Sequence, residues 1–357
     1  MGSDLMHNMK RYIESGNLHF LIGAGASHGA VEILGNIEQD LTELIKVYKE
    51  MQDTTSKESI MKKINSFIEE SLVPNNALLG NDLRPEHIEG VLKRYKDFLS
   101  ILHKIILERA SDHLPRKINI FTTNYDLFLE VASEELKFNY NDGGTGVLTR
   151  QFLTNNFQKR IYQMSDSYSY QYEAPVFNII KLHGSINWFL DKESIYIRNQ
   201  IQLNKVEDED IENTGYLKQQ KNVPIILPTK QKFIRTLMEH TYYDLSRLYA
   251  NELERPNSVL FCFGFSFADE HILSITKRAL SNPSLTMIIF PFSQQDETRL
   301  LKEFELHNNV KIIRIINNED SREYQYANEN VNHSRENIDF DMLCKFFKDV
   351  LRQIIND

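Results

Sequence analysis

Apolar residues in this chain gather in short unbroken runs, separated by longer stretches where they recur every three or four positions. The first run, Leu18-His19-Phe20-Leu21-Ile22, stops at Gly23-Ala24-Gly25-Ala26-Ser27. A run this short, bounded by glycine, predicts a buried strand. Similar runs at Ile118–Thr122, Val176–Leu182, Pro224–Leu227, Val259–Phe265, Leu285–Phe290 and Lys311–Ile316 predict more of them. They are near-continuously apolar rather than alternating, as strands covered on both faces of a parallel sheet are. Helical spacing lies between several, at Asp126–Lys137, Lys230–Leu253, Asp269–Leu280 and Gln294–Leu306. The alternation predicts an α/β fold, a mostly parallel sheet with helices on both faces.

One stretch breaks the rhythm. Between residues 36 and 114, three apolar helical stripes follow one another, the last through Ile88, Val91, Leu92, Tyr95, Leu99, Leu102, Ile105 and Ile106. Pro85 lies where a first helical residue would sit. This is too long for a loop and reads as an inserted helical subdomain. Gln151–Ala174 has no clear period, and residues 191–222, with the acidic cluster Glu207-Asp208-Glu209-Asp210, read as a surface hairpin or loop. The polar run Asn317–Asn337 reads as a linker to a C-terminal helix, Asp339–Ile355, whose Phe340, Leu343, Phe346, Phe347, Val350 and Leu351 spread apolar surface over much of its girth. The expected organisation is therefore 1–35 plus 115–330 for the sheet, 36–114 for the insertion and 331–357 for linker and last helix.

Composition narrows the function classes. With 41 Lys+Arg against 50 Asp+Glu the net charge is −9, the wrong sign for coating nucleic acid, so no direct nucleic-acid binding is expected. No apolar run approaches the ~20 residues of a membrane span, and the polar N-terminus lacks a secretory core, so a cytoplasmic protein away from membranes is expected. Two cysteines, Cys262 and Cys344, can build neither a disulfide framework nor a four-thiolate zinc site, and no metal is expected.

The chemistry-bearing residues sit at strand ends. Gly23–Ser27 is either a phosphate-cradling turn or simply a tight strand-to-helix turn, and the third glycine of the usual dinucleotide spacing falls on His28. In Thr122-Thr123-Asn124-Tyr125-Asp126, Thr123 or Asp126 can cap the next helix, whereas Asn124 is harder to explain as a cap. Lys181-Leu182-His183-Gly184-Ser185 brings a histidine to the same kind of edge, a candidate general base. In Gly264-Phe265-Ser266-Phe267-Ala268-Asp269, Asp269 reads as a helix cap, with Gly264 and Ser266 in reach of a phosphate or ribose.

Taken together, GAGAS, TTNYD, LHGS and GFSFAD, in this order, resemble the sirtuin family. The resemblance implies a Rossmann-like NAD-binding fold. It implies NAD contacts at Gly23, Ala24, Gly25, Ala26, Ser27, Thr123, Gly264 and Ser266, with Asn124, Asp126 and His183 catalytic. Deacylating sirtuins carry a four-cysteine zinc module that this chain lacks, and after the glycine loop it continues HGAVEILGN instead of an Ile-Pro-Asp-Phe-Arg-like run. The pattern looks more like the zinc-less bacterial NAD hydrolases of antiphage defence. That implies NAD as substrate, cleavage to nicotinamide and ADP-ribose, a homo-oligomer and, in one recurrent arrangement, a separate HerA-class ATPase partner. The alternative is a non-hydrolytic sensor of an NAD-derived nucleotide, or a scaffold subunit.

Overall fold

The computed structural model describes residues 2–31, 43–48, 50–51, 54–67, 69, 73–80, 83–109, 113–164, 170–191, 194–199, 236–318, 321–327 and 336–356. The expected strand Pro224–Leu227, the acidic cluster at 207–210 and the start of the Lys230–Leu253 helix lie outside them. In chain order the elements begin with α1 (Gly2–Ser15), β1 (Asn17–Ile22), α2 (Thr54–Phe67), α3 (Val73–Leu79), α4 (Glu86–Glu108), β2 (Lys117–Thr122) and α5 (Phe128–Glu135). Short strands follow: β3 (Tyr140–Asn141), β4 (Gly144–Thr145), β5 (Arg150–Phe152), β6 (Tyr162–Met164) and β7 (Gln171–Glu173). Then come β8 (Val176–Lys181), β9 (Trp188–Asp191), β10 (Ser194–Ile197), α6 (Thr236–Leu253), β11 (Ser258–Phe263), α7 (Glu270–Ala279), β12 (Thr286–Phe290), α8 (Gln294–Glu303), β13 (Val310–Asn318), β14 (Ser321–Tyr326) and α9 (Phe340–Asn356).

The central sheet has the order β14-β13-β12-β11-β1-β2-β8-β3. Every neighbouring pair in it is parallel except β13 with the edge strand β14. From β1 the chain moves outward to β2 and β8, then returns to the other side of β1 for β11, β12 and β13. Strand order thus reverses between β1 and β11, and in open α/β sheets the crevice beyond the carboxyl ends of such strands is where ligands bind. Glycine loop, TTNYD, LHGS and GFSFAD all leave the sheet at this one edge.

Because successive strand residues face opposite ways, the continuous apolar runs fill two cores. On one face Phe20 packs on Phe98 of α4, Phe261 and Phe347 of α9, with ring centroids 5.0–5.6 Å apart. On the other, Leu21, Phe121, Leu260 and Cys262 meet Leu245, Tyr249 and Leu253 of α6. Helix α4, the last of the insertion, buries ten side chains and lies in the first core against α9 and α5. Pro85 is its N-cap rather than its first helical residue. Phe340, Leu343, Phe346, Phe347, Val350 and Leu351 of α9 are buried against the sheet, α4 and α1, so most of its apolar surface is covered within the chain itself, while Ile355 is exposed.

Other expectations shift for local reasons. Strand β11 ends at Phe263, two residues early, because Gly264 turns to φ +63°. The run from Asn317 is not all linker: β14 pairs antiparallel with β13, a polar edge strand with buried Tyr324, whose polarity masks it in sequence. Helix α1, marked only by Leu5, Met6, Met9 and Ile13 among polar residues, has no counterpart in the sequence reading. Among the described residues no helix is long and apolar enough to cross a membrane.

Candidate functional site

The loops that leave β1 and β11 are pressed backbone to backbone. Gly25 N donates to Gly264 O at 3.0 Å, and Gly23 N donates to Phe263 O at 3.0 Å. A Cβ on Gly23 would come within 2.4 Å of Gly264 O, and one on Gly25 within 2.9 Å of Gly264 Cα. These glycines are therefore demanded by loop-to-loop packing, whatever else they do. Ala26 N closes a 3₁₀ turn onto Gly23 O at 3.1 Å. Three amides of the loop are thus engaged by protein carbonyls, and the anion-cradling part sketched from sequence is not available to them. Gly25 itself is exposed at the edge, with half-buried Ala24, Thr123 and Gly264 and exposed Ser266 around the same opening. Ser266 Oγ accepts from Ala268 N at 3.3 Å.

Beneath the opening lies a closed set of hydrogen bonds. Thr122 Oγ1, at the end of β2, donates to Ile22 O at 2.7 Å and accepts from Asn124 N at 3.0 Å. That holds Asn124 over the end of β1. Its Nδ2 donates to Gly23 O at 3.1 Å and to Ser27 Oγ at 3.3 Å, which uses both amide hydrogens. Its Oδ1 is buried and has no partner among the described residues. Turning the amide over would set that oxygen against the Gly23 carbonyl, so the hydrogen bonds themselves fix its orientation. Asn124 is 7% exposed, and with both amide hydrogens engaged the one function it has left is an acceptor.

Ser27 is the hub. Its Oγ donates to Asp126 Oδ2 at 2.7 Å and lies 2.8 Å from Tyr95 Oη. With its only hydrogen on Asp126, it accepts from Tyr95 and Asn124. Asp126 is no simple helix cap: Leu127 is the N-cap of α5, and Asp126 Oδ1 accepts from Phe128 N at 3.4 Å. The buried Lys181 Nζ donates to the Asp126 carbonyl and pairs with Glu130 Oε1 at 3.0 Å. Burial pushes both carboxyls up, and the Lys181 charge pulls both back down, leaving each above its ordinary value.

The loop after β8 crosses the edge. Leu182 N donates to Thr122 O at 2.8 Å and Ile186 N to Tyr125 O at 3.1 Å, tying this loop to that after β2. His183, half-buried, reaches Asp269 Oδ2 with Nε2 at 2.8 Å. Asp269 Oδ1 meanwhile accepts from His271 N and Ile272 N at 2.9 and 3.0 Å, capping α7 as its sequence suggests. Burial raises the Asp269 carboxyl, but the hydrogen bond and charge of His183 outweigh it and hold it down at about 2. The contact also sets the tautomer: Nε2–H donates to Asp269, which makes Nδ1 the nitrogen open to a proton.

Sequence reasoning brought Ser27, Asn124 and Asp126 to one edge, and the structure joins them directly. His183 pairs with Asp269 rather than with them. Tyr95, Lys181 and Glu130 were missed as members. Tyr95 hid within an apolar helical stripe, while Lys181, a cation ending an apolar strand, was the available signal. A family model for the SIR2-like domain matches residues 118–313, more than half of the chain. The matched span holds Asn124, Asp126, His183 and Asp269, and leaves out the glycine loop and Tyr95. No curated protein matches the chain.

Proposed function

The chain belongs to the SIR2-like domain family, whose members are typically NAD-dependent enzymes, and from that premise we propose that it hydrolyses NAD to nicotinamide and ADP-ribose. The observation that carries this reading is the unpartnered, buried Asn124 Oδ1 at the strand-order reversal. An acceptor held this way suits a donor, a ribose hydroxyl or a water, and does not suit a phosphate or a carbonyl. Breaking the nicotinamide–ribose bond develops positive charge on the ribose, as glycoside hydrolysis does. The nicotinamide leaves neutral, so what the protein supplies is a held ribose and an aligned water. Asn124 orients both, and His183 Nδ1 accepts the water's proton while Asp269 steadies the imidazolium that results. Asp126, fixed by Ser27 and the amide of Phe128, supports the ribose side of the site. Gly25, Ala24, Thr123, Gly264 and Ser266, around the opening, are the places where the rest of the dinucleotide makes contact. The biological setting we assign, NAD depletion in antiphage defence by an oligomer with a separate HerA-class ATPase, rests on the motif resemblance. The chain carries no P-loop of its own.

The test is nicotinamide release from NAD by the full chain, with and without an acyl-peptide. Release without peptide, lowered roughly 10²–10⁴-fold by His183→Ala, supports hydrolysis. Dependence on the peptide favours deacylation, and NAD binding without release favours the sensor.

A further inference from the structure

Tyr95 stands on α4, in the insertion and outside the family match, yet its hydroxyl ends 2.8 Å from Ser27 Oγ. Its ring needs no such contact. It stacks on Phe128 with centroids 5.4 Å apart and meets Phe340 edge-on at 4.9 Å, a space that phenylalanine would fill equally well. The hydroxyl is fully buried, and burial together with the Asp126 charge raises it well above its ordinary value, so it keeps its proton and must donate it. The recipient is Ser27, whose own hydrogen is directed at Asp126. The two remaining acceptor positions of Ser27 Oγ then belong to Tyr95 and to Asn124 Nδ2. We infer that the Tyr95 hydroxyl is a positioning group, which through Ser27 holds the Asn124 amide with its oxygen turned toward the ligand. Without that donor, Ser27 Oγ keeps its bond to Asp126 but loses the partner that fixes its rotamer, so its contact with Asn124 Nδ2 loosens and the Gly23 carbonyl is left as the main anchor of the amide. The insertion therefore completes the site from inside the core, and any shift of α4 against α5 and α9 is transmitted to Asn124.

The kinetic half of the test rests on the hydrolase reading; the structural half does not. In full-length Tyr95→Phe, labelled with ¹⁵N at asparagine, side-chain amide hydrogen exchange at Asn124 should accelerate at least about 10-fold, the signal being assigned by its loss in Asn124→Asp. For nicotinamide release, kcat should fall about 10- to 100-fold with KM within about 2-fold, as expected for a misaligned catalytic group. Tyr249→Phe, which loses a buried hydroxyl bonded to Thr276 at 2.9 Å on the opposite face, should change neither reading. Should Tyr95→Phe fail to fold, Ser27→Ala interrupts the same relay and must give the same exchange result. A folded variant with wild-type Asn124 exchange overturns the inference, whatever its turnover. A wild-type chain that releases no nicotinamide overturns only the hydrolase reading, because the exchange measurement still decides this one.

Discussion

Two buried polar networks run across the same three strands, and they have opposite characters. At the carboxyl edge, Ser27, Asn124 and Asp126 follow β1 and β2, and Lys181 ends β8. Deeper in the sheet, His19, Asn119 and Asn178 stand in register on β1, β2 and β8. In this ladder Asn119 Nδ2 donates to His19 Nδ1 at 3.1 Å and to Glu252 Oε2 at 3.0 Å. Asn178 Nδ2 donates to Asn119 Oδ1 at 2.7 Å and to Phe157 O at 3.1 Å. His19 Nε2–H turns to Ser258 Oγ at 3.3 Å, and Ser258 donates on to Glu252 O at 2.8 Å. Among the described residues each network leaves one amide oxygen without a partner, Asn178 Oδ1 in the ladder and Asn124 Oδ1 at the edge. The unpaired oxygen alone therefore does not make a site. Asn178 lies mid-strand, 1% exposed and tied to Asn119 and the Phe157 carbonyl, whereas Asn124 lies past a strand end and is tied to the loop that carries exposed Gly25. Position on the sheet is what tells the two apart.

The comparison predicts a clean separation of effects. Changes in the ladder should cost stability and spare turnover; changes at the edge should do the reverse. The largest stability effect is expected for Asn119→Leu, which strips partners from His19, Asn178 and Glu252 together. Denaturant unfolding should show a loss of roughly 2–4 kcal/mol, with nicotinamide release per folded molecule unchanged. A ladder variant that keeps its stability but loses turnover would break the separation.

A smaller effect sharpens it. Burial first, then the charges of Lys117 and Arg255, push His19 down from 6.5 to about 3. Between those values the unfolded chain binds a proton that the native chain refuses, so stability rises with pH across the window and falls on acidification from about 6.5 toward 3. The slope from this one group is at most about 1.4 kcal/mol per pH unit. Unfolding curves of His19→Gln against the parent should differ by that slope below pH 6 and run parallel above pH 7. Equal slopes would mean that His19 titrates alike in both states.

Much of this was legible in the sequence, and for physical reasons. Strands buried on both faces are apolar at most positions, so β1, β2, β8, β11, β12 and β13 announce themselves despite the polar ladder that crosses three of them, and their glycine- or Asn-bearing ends mark the edge. The edge strand β14 and helix α1 were not legible, because each buries only part of a polar segment. Asn124 and His183 could be picked from strand-end position. Tyr95 could not, since its ring obeys the helical stripe and only its hydroxyl leaves it. Asp269 read as a cap and is one; its second oxygen, on His183, depends on how the β8 loop crosses the sheet edge, which no local pattern encodes. The glycines of GAGAS were legible as necessary, but the backbone of Gly264 explains them before any phosphate does.

The central claim is that Asn124 Oδ1 is the acceptor that aligns ribose and water. Paired measurements on Asn124→Ala test it most directly: NAD affinity by calorimetry and nicotinamide release from the same preparation, with the exposed His87→Ala as control. The account predicts a melting temperature and NAD affinity near those of the parent, release lowered roughly 10²–10⁴-fold, and His87→Ala unaffected. Asn124→Ala protein that binds NAD and releases nicotinamide at the parental rate would contradict it.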